Sequence, residues 1–237
     1  MNRHNLLIVC SLIIFTSFAN KDSIAEYQIS TKSTLNSYTA NNQKIKDDRL
    51  KLNTLYKEQK ITIDSVSKYF ETQLINTVIP AWYGTKWDYE GYSNTPQEGE
   101  IACGYFVSTT LKHIGVNLNR YKLAQQYSLK AVQTLAHSDS IYKFNHNTSN
   151  SITELNSFKK LQDGLYVVGL SNHIGYLLIR NNTPFFIHST FLEPTAVCIE
   201  YAKESAAFEM SGIYYITSIS KNKDLMLKWL NNTFISS

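Results

Sequence analysis

The spacing of apolar residues changes along the chain from a helical period to runs that are typical of strands. Apolar residues recur three or four positions apart over 61–79, 104–115 and 120–137, as in amphipathic helices. A Ser-x-x-Glu capping box predicts a short helix over 151–162, and a last helix is predicted at 224–231. Strands rich in Val, Ile, Tyr and Phe are predicted at 165–170, 174–180, 185–189, 197–201 and 213–219. Helices followed by strands predict an α+β domain.

Cys103 lies at the start of the helix predicted at 104–115, which Gly115 ends. Unpaired N–H groups and the positive end of the helix dipole favour a thiolate at such a position. A neighbouring imidazolium can lower a cysteine pKa from about 8.5 to roughly 3–4. Cys103 is therefore the candidate nucleophile.

Two histidines lie in the strand-rich part of the chain. His173 precedes the predicted strand 174–180, and His188 ends the apolar run 184–188. The polar turn 180–183 between these strands indicates a hairpin. Antiparallel pairing would place the two histidines on neighbouring strands, one as the base and the other as the group that orients it.

A cysteine that opens a helix, a strand-borne His-Ile-Gly and a later Ile-His-Ser resemble the NlpC-type cell-wall cysteine peptidases of the papain-like superfamily. The resemblance spans about 79–219 and implies a papain-like fold, with the nucleophile helix packed on an antiparallel sheet. It also implies that Cys103 attacks an amide, that His173 is the base and that His188 orients it. The family's usual Asp-Cys-Ser-Gly core is Ala-Cys-Gly-Tyr here, which indicates a divergent branch.

The resemblance suggests further residues upstream of the cysteine. The stretch 82–88 is similar to an aromatic–glycine segment of the family, which implies that Tyr83 positions the thiolate or polarises the substrate carbonyl. About twenty residues separate Tyr83 from Cys103, more than is usual in the family, so Tyr89 or Tyr92 are alternatives. Gln97 lies six residues before the cysteine, at the spacing of the oxyanion-hole glutamine of papain-type proteases.

The N-terminus resembles a secretory signal peptide. A positive segment precedes the apolar run 6–18, and a small-x-small site predicts cleavage after residue 19, with a second possible site after Ala25. The run is shorter than the roughly 20 residues that span a membrane, so we expect no stable membrane insertion after cleavage. These features predict a secreted or periplasmic protein.

The remaining chain divides into a polar segment and a folded domain. Residues 20–60 are rich in Ser, Thr, Asn and Lys and predict a linker, an N-terminal extension or a loosely packed helix. With 237 residues, 43% of them hydrophobic, the chain can bury a sizeable core, which we assign to 61–237. This is the expected cysteine hydrolase domain.

Composition limits the possible partners and cofactors. The net charge of +4 comes from interspersed residues without a basic block, which argues against nucleic acid and leaves an attraction to anionic polymers such as cell wall. A Cys103–Cys198 disulfide is a structural alternative in an exported protein. A zinc site of Cys103, His173 and His188 would need another ligand or an open position. The expected chemistry requires no metal or organic cofactor.

The sequence thus predicts an exported thiol hydrolase that cleaves an amide bond by Cys-His-His catalysis, with peptidoglycan stem peptides as the expected substrate. One alternative is a cysteine amidase or protease that acts on another amide, because a fold does not choose its substrate. The other is a non-catalytic cell-wall-binding protein on the same scaffold.

Overall fold

The computed structural model describes residues 35–136, 140–145, 158 and 161–236. Seven α-helices lie within these ranges: α1 Leu35–Lys57, α2 Ile63–Gln73, α3 Cys103–His113, α4 Arg120–Ala124, α5 Ser128–Ala136, α6 Ala206–Glu209 and α7 Lys223–Leu230. The strands are β1 Tyr142–Asn145, β2 Gly164–Gly169, β3 Ile174–Arg180, β4 Thr183–Ser189, β5 Val197–Tyr201 and β6 Ile213–Ser218. The predicted α+β class is confirmed. None of the described helices has both the length and the apolar character needed to cross a membrane.

The six strands form one antiparallel sheet in the order β1-β6-β2-β3-β4-β5. Strands β2 to β5 follow one another as neighbours, so the predicted hairpin of β3 and β4 is confirmed. In this register Tyr176 lies opposite Ile187, and His188 lies opposite Cys198. Strand β3 is therefore central, and β5 forms one edge.

Alternate side chains of β3 enter two separate cores, because successive residues of a strand point to opposite faces. Ile174 and Tyr176 belong to the larger core, which also contains side chains of α2, α3, α5 and α7. Leu177 and Ile179 belong to a smaller core that Phe208 of α6 helps to form. Since both faces are covered, the strand is apolar over most of its length.

A tyrosine of the sheet holds α3 in place. The hydroxyl of Tyr176 lies 2.7 Å from the Thr110 hydroxyl and donates a hydrogen bond to the Val107 carbonyl at 3.1 Å. Tyr176 and Thr110 are fully buried, and the Thr110 hydroxyl is also 2.8 Å from the Phe106 carbonyl, so both buried hydroxyls have hydrogen-bond partners. These bonds fix the position of α3 on β3, and Cys103 is the first residue of that helix.

Residues 35–57, assigned above to a segment ahead of the domain, form helix α1 and belong to the larger core. Tyr38 and Ile45 of this helix are buried, and the Arg49 guanidinium donates a hydrogen bond to the Gly115 carbonyl at 2.7 Å. Because a buried arginine supplies part of the attachment, the helix carries no continuous apolar stripe. The folded unit therefore begins well before residue 61.

Other differences from the sequence prediction are local. The predicted helix 120–137 is two helices, α4 and α5, and β1 is a strand that is absent from the predicted set. The break allows the last turn of α4 to approach α3, since a Cβ on Gly104 would lie 2.4 Å from the Ala124 carbonyl oxygen. The predicted signal peptide 1–19 lies outside the described residues, as does almost all of the helix predicted at 151–162.

Gly175 of the His-Ile-Gly string is required by packing between β3 and β4. A Cβ there would lie 2.6 Å from Phe186, 2.8 Å from the Ile187 carbonyl oxygen and 3.0 Å from the His188 Cβ. We expect Gly175→Ala to lower the free energy of unfolding by about 2–3 kcal/mol, as overpacking does in a well-packed core. Denaturant unfolding would measure it.

A matched glycine provides the control for this prediction. Gly212 precedes β6, and the nearest atom to a Cβ there would be the Ser171 hydroxyl at 3.8 Å. Gly212→Ala should therefore change stability by less than about 0.5 kcal/mol. Equal stability losses in the two variants would contradict the packing role of Gly175.

Candidate active site

The thiol of Cys103 lies where α3 begins. Ala102 is the N-cap, with an extended backbone and no side chain that caps the helix. The backbone N–H groups of Ile174, Gly104 and Cys103 itself are directed at the sulfur. Because Ile174 directly follows His173 in the chain, the sulfur lies against the strand that begins beside this histidine.

Two contacts explain how the cysteine reaches this position. The Ser189 hydroxyl, next to His188, donates a 2.6 Å hydrogen bond to the carbonyl of Ile101, two residues before Cys103. On the other side, the close approach of α4 leaves no room for a Cβ at Gly104. Glycine at this position therefore has a packing reason, because a side chain there would clash with the Ala124 carbonyl.

The two predicted histidines are in direct contact. His173 Nε2 lies 2.8 Å from His188 Nδ1, and His188 Nε2 lies 2.9 Å from Glu200 Oε1. The Glu200 carboxylate also accepts a hydrogen bond from Ser205. These four side chains form a continuous series of hydrogen bonds that ends at His173.

The series determines which ring nitrogens carry protons. An ionised carboxylate only accepts hydrogen bonds, so Glu200 requires a proton on His188 Nε2. In neutral His188 the other nitrogen, Nδ1, is then an acceptor, and His173 must donate to it from Nε2. Neutral His173 consequently keeps the lone pair on Nδ1, the form that a general base needs.

Burial keeps this group of residues neutral apart from the carboxylate. His173 is 6% exposed and His188 is fully buried. Burial, with a smaller contribution from His188, lowers the pKa of His173 to about 3, and burial also lowers the pKa of His188. Burial opposes ionisation of Glu200, yet the hydrogen bonds from His188 and Ser205 lower the pKa of this carboxyl.

Burial also affects the nucleophile. It raises the pKa of the Cys103 thiol, and this outweighs the three N–H groups, which act in the opposite direction. These pKa shifts favour a protonated thiol at Cys103 and a neutral imidazole at His173, which differs from the thiolate expected of a helix start. No direct hydrogen bond joins the Cys103 sulfur to the His173 ring among the described contacts, so the thiol is held by backbone groups.

Tyr83 lies next to β5, because the N–H of the following residue, Gly84, donates a hydrogen bond to the Val197 carbonyl of that strand. Burial raises its pKa, and the neighbouring Cys198 acts in the same direction. The two alternatives named with it, Tyr89 and Tyr92, are surface residues that are 82% and 61% exposed. Of the three tyrosines, Tyr83 alone is partly buried against the larger core, and its neighbour there is Cys198.

Gln97 is held away from the thiol. Its side-chain amide donates a hydrogen bond to the Ala81 carbonyl at 3.2 Å, and its backbone N–H donates to Thr85 Oγ1 at 2.9 Å. No described contact joins it to Cys103. The spacing of six residues is thus present without the placement that an oxyanion donor would need.

Aromatic rings enclose the two histidines. Phe186 stacks on His188 at 4.0 Å between ring centroids, and Phe191 meets the edge of His173 at 5.8 Å. Phe191 is 40% exposed and lies 6.0 Å from Trp87. The rings limit the access of water to the histidines, and Phe191 is the ring that lies between His173 and solvent.

The segment that leads into Cys103 borders an open acidic cleft. Its volume is about 540 Å³, and its acidic lining residues are Asp88, Glu90, Glu98 and Glu100. Although the whole chain is positive, the acidic lining gives this cleft a negative potential.

Both described cysteines are free thiols, so the alternative of a Cys103–Cys198 disulfide is not found. Cys198 instead lies beside His188 and Glu200, and the ligand atoms of these three residues are within 4.8 Å of one another. Glu200 was not predicted from the sequence. The alternation of side chains along β5 places Cys198 and Glu200 on the same face of the strand. Which residues this face meets depends on the register between β5 and β4.

Comparison with known proteins does not assign this site. The chain matches no protein-family model, and the search of curated proteins found no match.

Proposed function

We propose that the protein is a cysteine hydrolase of the papain-like, NlpC-type class that cleaves an amide bond. One observation supports this most strongly: Glu200, His188 and His173 form a hydrogen-bonded series, and the backbone N–H of Ile174, the residue after His173, is directed at the sulfur of a helix-opening cysteine. A nucleophile, a base and a group that orients the base are the components that thiol catalysis requires.

The reaction proceeds in two steps. His173 Nδ1 takes the thiol proton while the Cys103 sulfur attacks the substrate carbonyl carbon, and the imidazolium then gives this proton to the leaving amine as the C–N bond breaks. Water next attacks the thioester, loses a proton to His173 and releases a carboxylic acid, and the thiol regains its proton. His188 and Glu200 hold His173 in the required tautomer throughout.

The uncapped start of α3 provides electrostatic stabilisation. Ala102 has no capping side chain, so the backbone N–H groups of the first turn are not taken by a residue ahead of the helix, and those of Cys103 and Gly104 are directed at the sulfur before a substrate binds. They suit the negative oxygen of a tetrahedral intermediate. The neutral resting pair fits a mechanism in which the proton moves as the substrate is attacked, because the thiol–imidazole contact tightens on substrate binding in such sites.

Peptidoglycan stem peptides are the substrate we propose, with the protein exported to reach them. Support comes from the order of the helix-opening cysteine, His-Ile-Gly and Ile-His-Ser, which resembles the cell-wall peptidases, and from the signal-like segment 1–19. An exposed Phe191 and Trp87 beside the site provide apolar contact for a bound chain.

The test is to incubate the full chain with purified peptidoglycan and with isolated stem peptides, with and without hydroxylamine. We expect new amino termini by mass spectrometry, and hydroxamates when hydroxylamine intercepts the thioester. Products without any hydroxamate would argue against an acyl-enzyme. Cleavage of other peptides but not of stem peptides would support the proposed thiol hydrolase activity and contradict the proposed substrate.

A non-catalytic cell-wall-binding protein is the second candidate. The replacement of Asp-Cys-Ser-Gly by Ala-Cys-Gly-Tyr and the raised pKa of Cys103 favour it. Sedimentation with insoluble peptidoglycan, without any released fragment, would select this candidate over the hydrolase.

A further inference from the structure

We infer that His188, Cys198 and Glu200 form a binding site for a thiophilic divalent cation such as Zn²⁺, and that the bound cation switches off the neighbouring base. The binding step stands on the geometry of these three residues alone. Its effect on activity rests on the proposed function.

The distances suit a metal ion. The three ligand atoms lie within 4.8 Å of one another, and His188 Nε2 is 2.9 Å from Glu200 Oε1. Zinc bonds of about 2.0–2.3 Å place tetrahedral ligands roughly 3.3–3.7 Å apart. A small separation of the imidazole from the carboxylate, and a small approach of the sulfur, would complete three positions of a tetrahedron.

The chemistry and access of the site also suit zinc. Imidazole, thiolate and carboxylate are its usual protein ligands. One thiolate and one carboxylate carry two negative charges, so a divalent cation would be neutralised in this partly buried place. Cys198 is half-buried and the Glu200 side chain is 28% exposed, which leaves an approach from solvent and a fourth position for water.

Metal binding would reverse the hydrogen bond between the two histidines. A cation at His188 Nε2 takes the lone pair there, so the ring proton must move to Nδ1. His188 Nδ1 then donates to His173 Nε2, and neutral His173 must carry its own proton on Nδ1. That nitrogen can no longer accept the proton of Cys103, so the base is lost while His173 remains in place.

The proton balance is simple. Both rings stay neutral, and each moves one proton between its own nitrogens through solvent exchange. A thiol that is not bound to a metal carries its proton at neutral pH. Coordination deprotonates it. One proton is therefore released for each cation bound.

The test titrates the full chain with Co²⁺, which reports thiolate ligation by its charge-transfer absorption, and then displaces it with Zn²⁺. We expect one site per chain in the wild type and in Cys103→Ala. In Cys198→Ala the charge-transfer band should vanish and the affinity should fall at least 100-fold. A band that survives in Cys198→Ala but is lost in Cys103→Ala, or no band in the wild type, would overturn the site.

A second measurement tests the switch without an enzymatic assay. Nitrogen-15 NMR of labelled histidines distinguishes Nδ1–H from Nε2–H, and Zn²⁺ should move His173 and His188 from the second form to the first. Unchanged tautomers in the zinc-bound protein would refute the switch. Both experiments test the metal site even if the protein hydrolyses no substrate. If hydrolysis is found, Zn²⁺ should inhibit it in proportion to the fraction of sites that hold the cation, with each variant compared with its own metal-free rate.

Discussion

Cys103→Ala is expected to abolish hydrolysis, with kcat reduced by at least about 10⁴-fold. In the proposed mechanism the sulfur forms the covalent bond to the substrate, and no other described thiol lies against the strand end next to His173. The measurement is the rate of release of new amino termini from stem peptides. Because a Cys to Ala change at the helix start removes only one atom, unfolding should remain close to that of the wild type.

Cys198→Ala controls for the loss of a thiol, since Cys198 is the other described cysteine and is also half-buried. This variant should retain readily measurable cleavage and should still form the thioester that hydroxylamine intercepts. The nucleophile assignment fails if the two variants have similar activity, whether both are active or both inactive.

His188→Ala should reduce kcat by about 10²–10⁴-fold while leaving KM within a few fold. Without an acceptor at the position of His188 Nδ1, the proton on His173 Nε2 is unsatisfied and the ring loses its preferred tautomer. His188→Asn places an amide oxygen near that position and should recover activity to within about tenfold of the wild type. Steady-state kinetics on both variants provides the comparison.

His113→Asn is the control for removal of a partly buried histidine. This residue ends α3, about 15 Å from Cys103 along the helix, and its Nδ1 lies 2.9 Å from the Tyr38 hydroxyl. Its substitution should leave kcat within about threefold. If His188→Asn were as inactive as His188→Ala in a folded protein, the acceptor role of His188 would be wrong.

The parts of the site that sequence analysis located are those that lie in short local strings. Cys103 opens a helix, and His173 and His188 flank a hairpin whose turn is visible in the sequence, so their proximity followed from local patterns alone. Their catalytic roles stay predictions. The fold class followed from the change of apolar period in the same way.

Residues whose role depends on long-range register were not predictable. Glu200 reaches His188 because β5 pairs with β4 in one particular alignment, and a shift by one residue would turn Glu200 to the other face. The oxyanion role predicted for Gln97 lacks support for the opposite reason. Its spacing from Cys103 fits, but its side-chain amide is hydrogen-bonded to the Ala81 carbonyl. A loosely packed helix was one alternative for residues 20–60, but the packing of α1 in the core was not predicted, because a buried arginine gives no apolar signal.

The bonds of Arg49 have a consequence for how the molecule comes apart. Its guanidinium binds the Gly115 carbonyl and also Asn232, 183 residues further along the chain, at 3.0 Å. If α7 alone frayed, this largely buried charge would lose a partner, and the end of α3 would lose the Trp229 bond to Ile114. Release of α1 or α7 is therefore coupled to loosening of α3. Native-state proteolysis should accordingly find few partly open forms, and α1 and α7 should become cleavable together with α3.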